Sequence, residues 1–172
     1  MKKVIIALAA VLGISAAASA QKTDLTVSYG GYTAMDCMDY HGGGPDVNAA
    51  WGAVNVGLNF KVAPKLSIGP SYTFSSNTRK HYDDDHFYYH AVMLNGRYDY
   101  YRNSIVTLSG RLGAGVVFSH ESCDDYSKNR AYFGFQISPL HAYVSLSRGF
   151  GIFGEVGFGN QGLVQVGFRA NL

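Results

Sequence analysis

The sequence predicts an all-β fold, an eight-stranded antiparallel up-and-down β-barrel made by a single domain, residues 21–172. Three observations support this prediction. Apolar and polar residues alternate with period two in eight separate segments, as they do in strands with one apolar face. No helical i, i+3, i+4 stripe of useful length follows residue 20. Long and short connections alternate between the segments, as they do in barrels whose strands run up and down.

The first twenty residues have the features of a cleaved secretory signal peptide. Lys2 and Lys3 precede an apolar run, and the small residues 18–20 come before a cleavage site at Gln21. The exported chain of about 152 residues has the length of one domain. Without Lys2 and Lys3, the 14 basic residues fall to 12 against 12 acidic ones, so the charge balance does not support nucleic-acid binding.

Each predicted strand is identified by the apolar residues on one of its faces. The residues between them are mostly polar or glycine, which suits a strand with two different environments. In chain order, the apolar faces are Leu25, Val27, Tyr29; Val54, Val56, Leu58, Phe60, Val62; Leu66, Ile68, Tyr72, Phe74; Tyr88, His90, Val92, Leu94, Tyr98; Val106, Leu108, Leu112, Ala114, Val116, Phe118; Phe133, Phe135, Ile137; Phe150, Ile152, Val156, Phe158; and Val164, Val166, Phe168, Ala170, Leu172.

The sixth predicted strand, about 131–147, changes parity in its middle. Its apolar residues are odd-numbered up to Ile137 and even-numbered from Leu140 onwards. A β-bulge at Pro139 would place both halves in one strand with a continuous apolar face. Two separate short strands are the alternative interpretation.

The connections between the strands fall into two classes. We expect long polar loops at about 34–50, 76–86 and 119–130, with nine acidic and four basic residues and so a net charge of −5. The last connection, GNQG at 159–162, is short although it falls on the long-loop side. The short turns lie at 63–64, 102–103 and 148–149, and basic residues surround them: Lys61, Lys65, Arg102 and Arg148.

Aromatic residues on the apolar face fall near both ends of the strands, with aliphatic residues between them. This arrangement predicts two aromatic belts at the interfaces of a bilayer, and hence a transmembrane barrel. A soluble lipocalin-like barrel with an apolar ligand cavity is the alternative. The belt near the long loops contains Phe74, Tyr88, Phe118, Phe133 and Phe158, and the belt near the short turns contains Phe60, Tyr98, Phe150 and Phe168.

The opposite face of the strands is polar and would point into the barrel. Eight strands enclose a space that side chains can just fill, so we predict a packed ionic core in which both charge signs are present. A narrow leak through this core, as in a channel or small-ligand transporter, is the alternative. The predicted core residues are Arg97, Asp99, Arg111, Glu155 and Arg169.

Three segments resemble parts of known outer-membrane barrels. VAPKLSIGPSYTF (62–74) is similar to a strand–turn–strand unit, FGIFGEVGFGNQGLVQVGF (150–168) to a Gly-rich final hairpin, and LVQVGFRANL (163–172) to a closing strand. The mature chain thus resembles the small outer-membrane β-barrel domain family, similar in plan to OmpA-like, OmpX-like and porin-family-like barrels. The resemblance implies an outer-membrane location in a Gram-negative-type cell. It also implies contact with membrane lipid and lipopolysaccharide, insertion by the barrel-assembly machinery, and an extracellular partner bound by the loops.

Cys37 and Cys123 are the only two cysteines, and they fall in the first and third predicted long loops. An exported protein meets an oxidising compartment, which favours a disulfide between them, and two free thiols are the alternative. The bond would close a loop of about 86 residues and draw a strap over the barrel mouth.

No pattern in the sequence identifies a catalytic, cofactor-binding or metal site. The segment SHES places His120 and Ser122 at a spacing seen in lipid A deacylases, but it lies in a predicted charged loop without a supporting motif. The aspartates at 83–85 lack the glycine and distal glutamate of an EF-hand. We therefore predict a non-enzymatic protein without a cofactor, which serves envelope structure or loop-mediated binding and adhesion. A lipid A-modifying enzyme is a further alternative.

Overall fold

The computed structural model describes residues 23–37, 52–79, 82–123 and 126–172, with side chains for 23–35, 52–77, 87–120 and 129–172. The predicted signal peptide, 1–20, lies outside the described residues. A single short helix, α1 (Ala34–Cys37), occurs in these ranges. No helix in the described part of the chain is long and apolar enough to cross a membrane. The strands are β1 (Thr23–Gly31), β2 (Ala53–Ala63), β3 (Leu66–Arg79), β4 (Tyr82–Arg102), β5 (Val106–Cys123), β6 (Tyr126–Ser147), β7 (Phe150–Gly159) and β8 (Val164–Asn171).

The eight strands form one closed antiparallel barrel. Each strand pairs with its neighbours in sequence, and β8 pairs with β1 to close the sheet, for example at Val27↔Phe168. The predicted fold class is therefore confirmed. Closure leaves no sheet edge along the body of the barrel, so the backbone groups there are satisfied by neighbouring strands.

The burial of the two faces is the reverse of that in a water-soluble protein. Polar residues such as Thr73 and Gln136 are completely buried, whereas Leu94 and Leu112 on the other parity are 60% and 64% exposed. The period-two alternation of the sequence therefore separates a polar lumen from an apolar outer surface.

The sixth strand is continuous across Pro139. Its register with β7 shifts between Ile137 and Leu140, as expected for a β-bulge. The predicted bulge is confirmed, and the alternative of two short strands is wrong. Because the bulge changes the inward parity, Ser138 and His141 are both buried in the lumen, with 1% and 2% of their surface exposed.

The prediction of long loops at 76–86 and 119–130 is wrong, because most of these residues lie in strands. Residues 76–79 and 82–86 belong to β3 and β4, as the pairing Asn77↔Phe87 shows, and residues 119–123 and 126–130 continue β5 and β6. We call the upper parts of these two strand pairs the extended hairpins. Since β4 and β6 have 21 and 22 residues while β1 and β8 have 9 and 8, one side of the barrel rises above the other.

The first predicted loop, 34–50, begins as α1 and turns into the barrel instead of away from it. Met35 is 2% exposed and packs with Phe87, Tyr89 and Val117. We call this group, together with Ala91 and the partly buried Tyr132, the upper cluster. It fills the end of the lumen near the extended hairpins with apolar and aromatic side chains. The rest of the predicted loop lies outside the described residues.

Candidate functional site

The lower lumen, beside the short turns, is organised around the carboxylate of Asp24. One of its oxygens, Oδ2, lies 2.8 Å from Nη2 of Arg97 and 3.3 Å from Nε of Arg169. The other, Oδ1, accepts a hydrogen bond of 2.8 Å from Nδ2 of Asn59. All four side chains are buried. Asp24 therefore joins two arginines of the predicted core, although it was absent from the sequence prediction.

Two further contacts extend this cluster. Asp99 lies 3.7 Å from Nε of Arg97 and 3.0 Å from Nη2 of Arg102, whose side chain is 44% exposed. The guanidinium carbon of Arg169 lies 4.3 Å from the ring centre of Tyr143, a cation–π distance. The cluster is thus continuous from the buried lumen to the rim at the short turns.

A second ionic group lies in the middle of the lumen. Nε and Nη2 of Arg111 donate to Oε1 of Glu155 at 3.1 and 2.5 Å. The same oxygen accepts hydrogen bonds from Ser138 at 2.5 Å and from Gln165 at 3.0 Å. The five predicted core residues thus lie in two groups, one around Asp24 and one around Glu155. Three arginines face three carboxylates in the lumen, so the formal charges of these six residues balance.

The last connection, between β7 and β8, also turns into the lumen. Gln161 donates from Nε2 to Ser71 on the opposite wall at 2.7 Å, and its backbone N–H donates to Oε1 of Gln136 at 3.0 Å. Its carbonyl accepts a hydrogen bond from Asn55 at 3.1 Å. Asn160 accepts the backbone N–H of Phe135 at 2.8 Å. Because Asn160 and Gln161 are completely buried, we call them the inward turn.

The glycines on both sides of the inward turn allow its backbone conformation. Gly159 and Gly162 have φ angles of 146° and 119°, which side-chain-bearing residues rarely adopt. A Cβ atom at Gly159 would also collide with the backbone of Phe135 and Gln136. The two glycines explain why a short GNQG connection can fold back between the strands.

The cavity beside the two ionic groups is small. His141 stacks on Phe153 with ring centres 4.7 Å apart. A small cavity beside it, lined in part by Arg97, Arg111 and Gln161, offers space only for something of about the size of a water molecule. Among the described residues, no three His, Cys, Asp or Glu side chains are grouped to hold a metal ion. Below the upper cluster, the described lumen is therefore a packed polar core of ion pairs and amide hydrogen bonds.

The nine predicted belt residues all lie on the outward face. Phe133 and Tyr98 are 72% and 52% exposed, and Phe60 and Phe74 are partly exposed. Near the short turns, Phe150 stacks on Phe168 with ring centres 5.7 Å apart. The remaining belt residues with exposed side chains are Tyr88, Phe118 and Phe158.

The segment SHES lies in β5 and not in a loop, so its predicted position is wrong. Nδ1 of His120 lies 2.6 Å from Oδ1 of Asn129 on the neighbouring strand. Ser122 pairs through its backbone with Ser127, and its side chain lies outside the described ones. The imidazole of His120 is thus positioned by an amide oxygen.

The two cysteines lie at the ends of regular elements. Cys37 ends α1, and Cys123 ends β5. Their side chains lie outside the described ones, so the predicted disulfide stays a prediction.

Comparisons with known proteins agree with the barrel architecture. No family model matches the sequence, and no curated protein matches it. Among solved structures, the chain is similar to Ail, the attachment invasion locus protein of Yersinia pestis, in complex with the heparin analogue sucrose octasulfate. The identity is 16% over 88% of this chain and 95% of that one, with a TM-score of 0.51. Ail in a phospholipid bilayer nanodisc is 15% identical over 88% of this chain and 99% of that one, with a TM-score of 0.50. This similarity shows that the chain has the fold of small eight-stranded outer-membrane barrels.

Proposed function

We propose that this chain is a non-enzymatic integral outer-membrane protein, exported with cleavage after residue 20, that stabilises the envelope and presents its extended hairpins for binding. The observation that carries the proposal is the reversed burial of the barrel. Leu94, Leu112 and Phe133 are 60%, 64% and 72% exposed and belong to an apolar surface that surrounds the barrel. In water such a surface would drive association, whereas the hydrocarbon of a bilayer covers it.

The two aromatic belts support a specific orientation. Phe150 and Phe168 lie beside the short turns, whereas Phe74 and Phe118 lie in one row with His90, towards the extended hairpins. Tyrosine and phenylalanine rings are common at the two interfaces of membrane barrels, where short turns face the periplasm and longer connections face outwards. We therefore place the short turns in the periplasm and the extended hairpins outside the cell.

The packed lumen supports a structural or binding role over transport. Arg97, Arg111 and Arg169 all pair with carboxylates, and the inward turn crosses the space that a pore would need. A continuous water path would require breaking several of these contacts at once, and each break leaves a charge or amide buried without a partner. A narrow channel is therefore disfavoured.

The extended hairpins differ in charge from a surface that binds polyanions. The complexed Ail structure holds a polysulfated sugar. In this chain, however, residues 76–86 and 119–130 contain six acidic and four basic residues, a net charge of −2 with histidine neutral. Like charges repel at close range, so we do not extend that ligand to this protein. The net charge of −5 over these residues and 34–50 favours an extracellular partner with a basic surface.

Fractionation and bilayer recordings test the proposal together. Expressed with its leader, the protein is expected in the outer-membrane fraction and in a form that migrates differently on gels before and after boiling. The purified folded barrel should add no steady single-channel conductance to a planar bilayer, because the lumen is filled. Release by osmotic shock without detergent would contradict the membrane assignment, and well-defined conductance steps would instead support a channel.

A matched variant controls the conductance measurement. Gln161→Ala removes the side chain that bridges to Ser71 and leaves both ionic groups in place. We expect this variant to stay closed, because the ion pairs of Arg97 and Arg111 still cross the lumen. The comparison shows whether the inward turn or the ionic groups block the pore.

A further inference from the structure

Each of the three short turns carries an exposed basic side chain. Lys65 lies in the turn between β2 and β3, Arg102 at the turn between β4 and β5, and Arg148 in the turn between β6 and β7. Because consecutive strands are antiparallel, all three turns lie at the same end of the barrel. We call these three residues the basic rim.

The acidic side chains described at this end do not neutralise the whole rim. Asp24 and Asp99 are buried in the lumen, with 6% and 4% of their surface exposed. Asp99 pairs with Arg102, but it contacts neither of the other two rim residues among the ion pairs of the described side chains. The outer surface at the short turns therefore carries positive charge, chiefly at Lys65 and Arg148.

Tyrosines next to the basic rim give this end the character of a membrane interface. Tyr98, Tyr100 and Tyr101 are 52%, 47% and 51% exposed. The register of β4 and β5 shifts between Asp99 and Tyr101, so that the two neighbouring tyrosines 100 and 101 are both exposed. A tyrosine ring suits the boundary between hydrocarbon and headgroups because its body is apolar and its hydroxyl is polar.

We propose that the basic rim docks on the headgroups of anionic phospholipid in the leaflet at the short-turn end of the barrel. This inference rests on the proposed membrane location and deepens it by naming a lipid class for one leaflet. Basic side chains just beyond an interfacial aromatic belt lie at the depth of lipid phosphates. Zwitterionic headgroups are neutral overall, so the rim selects phosphatidylglycerol over phosphatidylcholine by charge.

Spin-labelled lipids test the inference with the folded full-length mature chain. The chain is reconstituted into nanodiscs of phosphatidylcholine containing phosphatidylglycerol, and the fraction of each spin-labelled lipid held at the protein surface is measured by EPR. We expect at least about a twofold preference for phosphatidylglycerol at low salt, since basic side chains at the headgroups attract anionic lipid. The preference should decrease towards parity at about 1 M salt, where the screening length is only about 3 Å.

Charge variants assign the preference to the rim. Lys65→Gln with Arg148→Gln should reduce the preference to near parity, while Lys65→Arg with Arg148→Lys, the matched control, should retain it. A neutralised but folded variant with the full preference would overturn the inference, as would equal binding of both lipids by the unsubstituted chain. If the chain inserts normally but shows no preference, only this inference fails. If the chain shows no motionally restricted lipid at all, the proposed membrane location fails as well.

Discussion

Replacement of Asp24 by Ala is expected to lower the free energy of unfolding by about 3–5 kcal/mol, the cost of removing one partner from a buried ion pair. The carboxylate of Asp24 lies 2.8 Å from Arg97 and 3.3 Å from Arg169, and it accepts a hydrogen bond from Asn59. Without it, two guanidinium groups stay in the lumen with fewer counter-charges. Urea unfolding of the barrel in lipid vesicles measures the loss.

Arg102→Gln is the matched control for Asp24→Ala. It also removes an ion pair at the same end of the barrel, 3.0 Å from Asp99, but the Arg102 side chain is 44% exposed. Because water screens the Arg102 side of this pair and Asp99 keeps its contact with Arg97 at 3.7 Å, we expect a smaller loss of unfolding free energy than for Asp24→Ala. Equal losses in the two variants would mean that Asp24 does not organise a buried ionic core.

Phe87→Ala is expected to lower the free energy of unfolding by about 3–5 kcal/mol, the usual range for removing a buried aromatic ring. Phe87 is 1% exposed and lies in the upper cluster with Met35, Tyr89 and Val117. Its removal leaves a cavity inside the barrel that the surrounding strands cannot close, because their spacing is fixed by hydrogen bonds. The same urea unfolding assay measures the effect.

Phe133→Ala provides the contrast, because this ring is 72% exposed on the outer surface. Lipid chains can fill the space that the lost ring leaves, so no cavity forms and only the transfer free energy is lost. We expect the free energy of unfolding to fall by less than about 2 kcal/mol, close to the value for moving one such side chain out of an apolar environment. A larger effect for Phe133→Ala than for Phe87→Ala would contradict the assignment of inner and outer faces.

The sequence was sufficient to predict the barrel body because every strand there contacts two different environments. Where one face meets an apolar surrounding and the other a polar lumen, the alternation is strong, as in β2 and β8. The bulge at Pro139 was predictable for the same reason, since an apolar face can continue past a parity change only if an extra residue is inserted.

The extended hairpins could not be predicted in this way. In the proposed orientation the outer face of these sheets lies above the membrane, so selection for a lipid-facing apolar face is absent and the alternation disappears. Pairings such as His120↔Asn129 continue the sheet through residues that look like a polar loop. Backbone hydrogen bonding maintains these strands, and it leaves almost no signal in the side-chain pattern.

The sequence prediction missed three lumen residues, Asp24, His141 and Gln161, each for a local reason. Asp24 lies on the same parity as Thr26 and Ser28, and extending that parity by one position towards the strand start would have found it. His141 follows the bulge, where the inward parity changes from even to odd. Gln161 had no period-two signal, because it lies in a turn. Only the nearby glycines, Gly159 and Gly162, indicated an unusual backbone conformation.

A tryptophan on each face of one strand tests the central claim of reversed burial most directly. Ile152 and Phe153 are neighbours on β7, 41% and 6% exposed, and Phe153 stacks on His141 in the lumen. With Trp51, the only tryptophan, changed to Phe, each position is changed to Trp and the barrel is folded into vesicles with brominated phosphatidylcholine. The barrel predicts strong quenching of Ile152→Trp emission and little quenching of Phe153→Trp. Equal quenching of both, or stronger quenching at 153, would contradict an apolar outer face around a packed polar lumen.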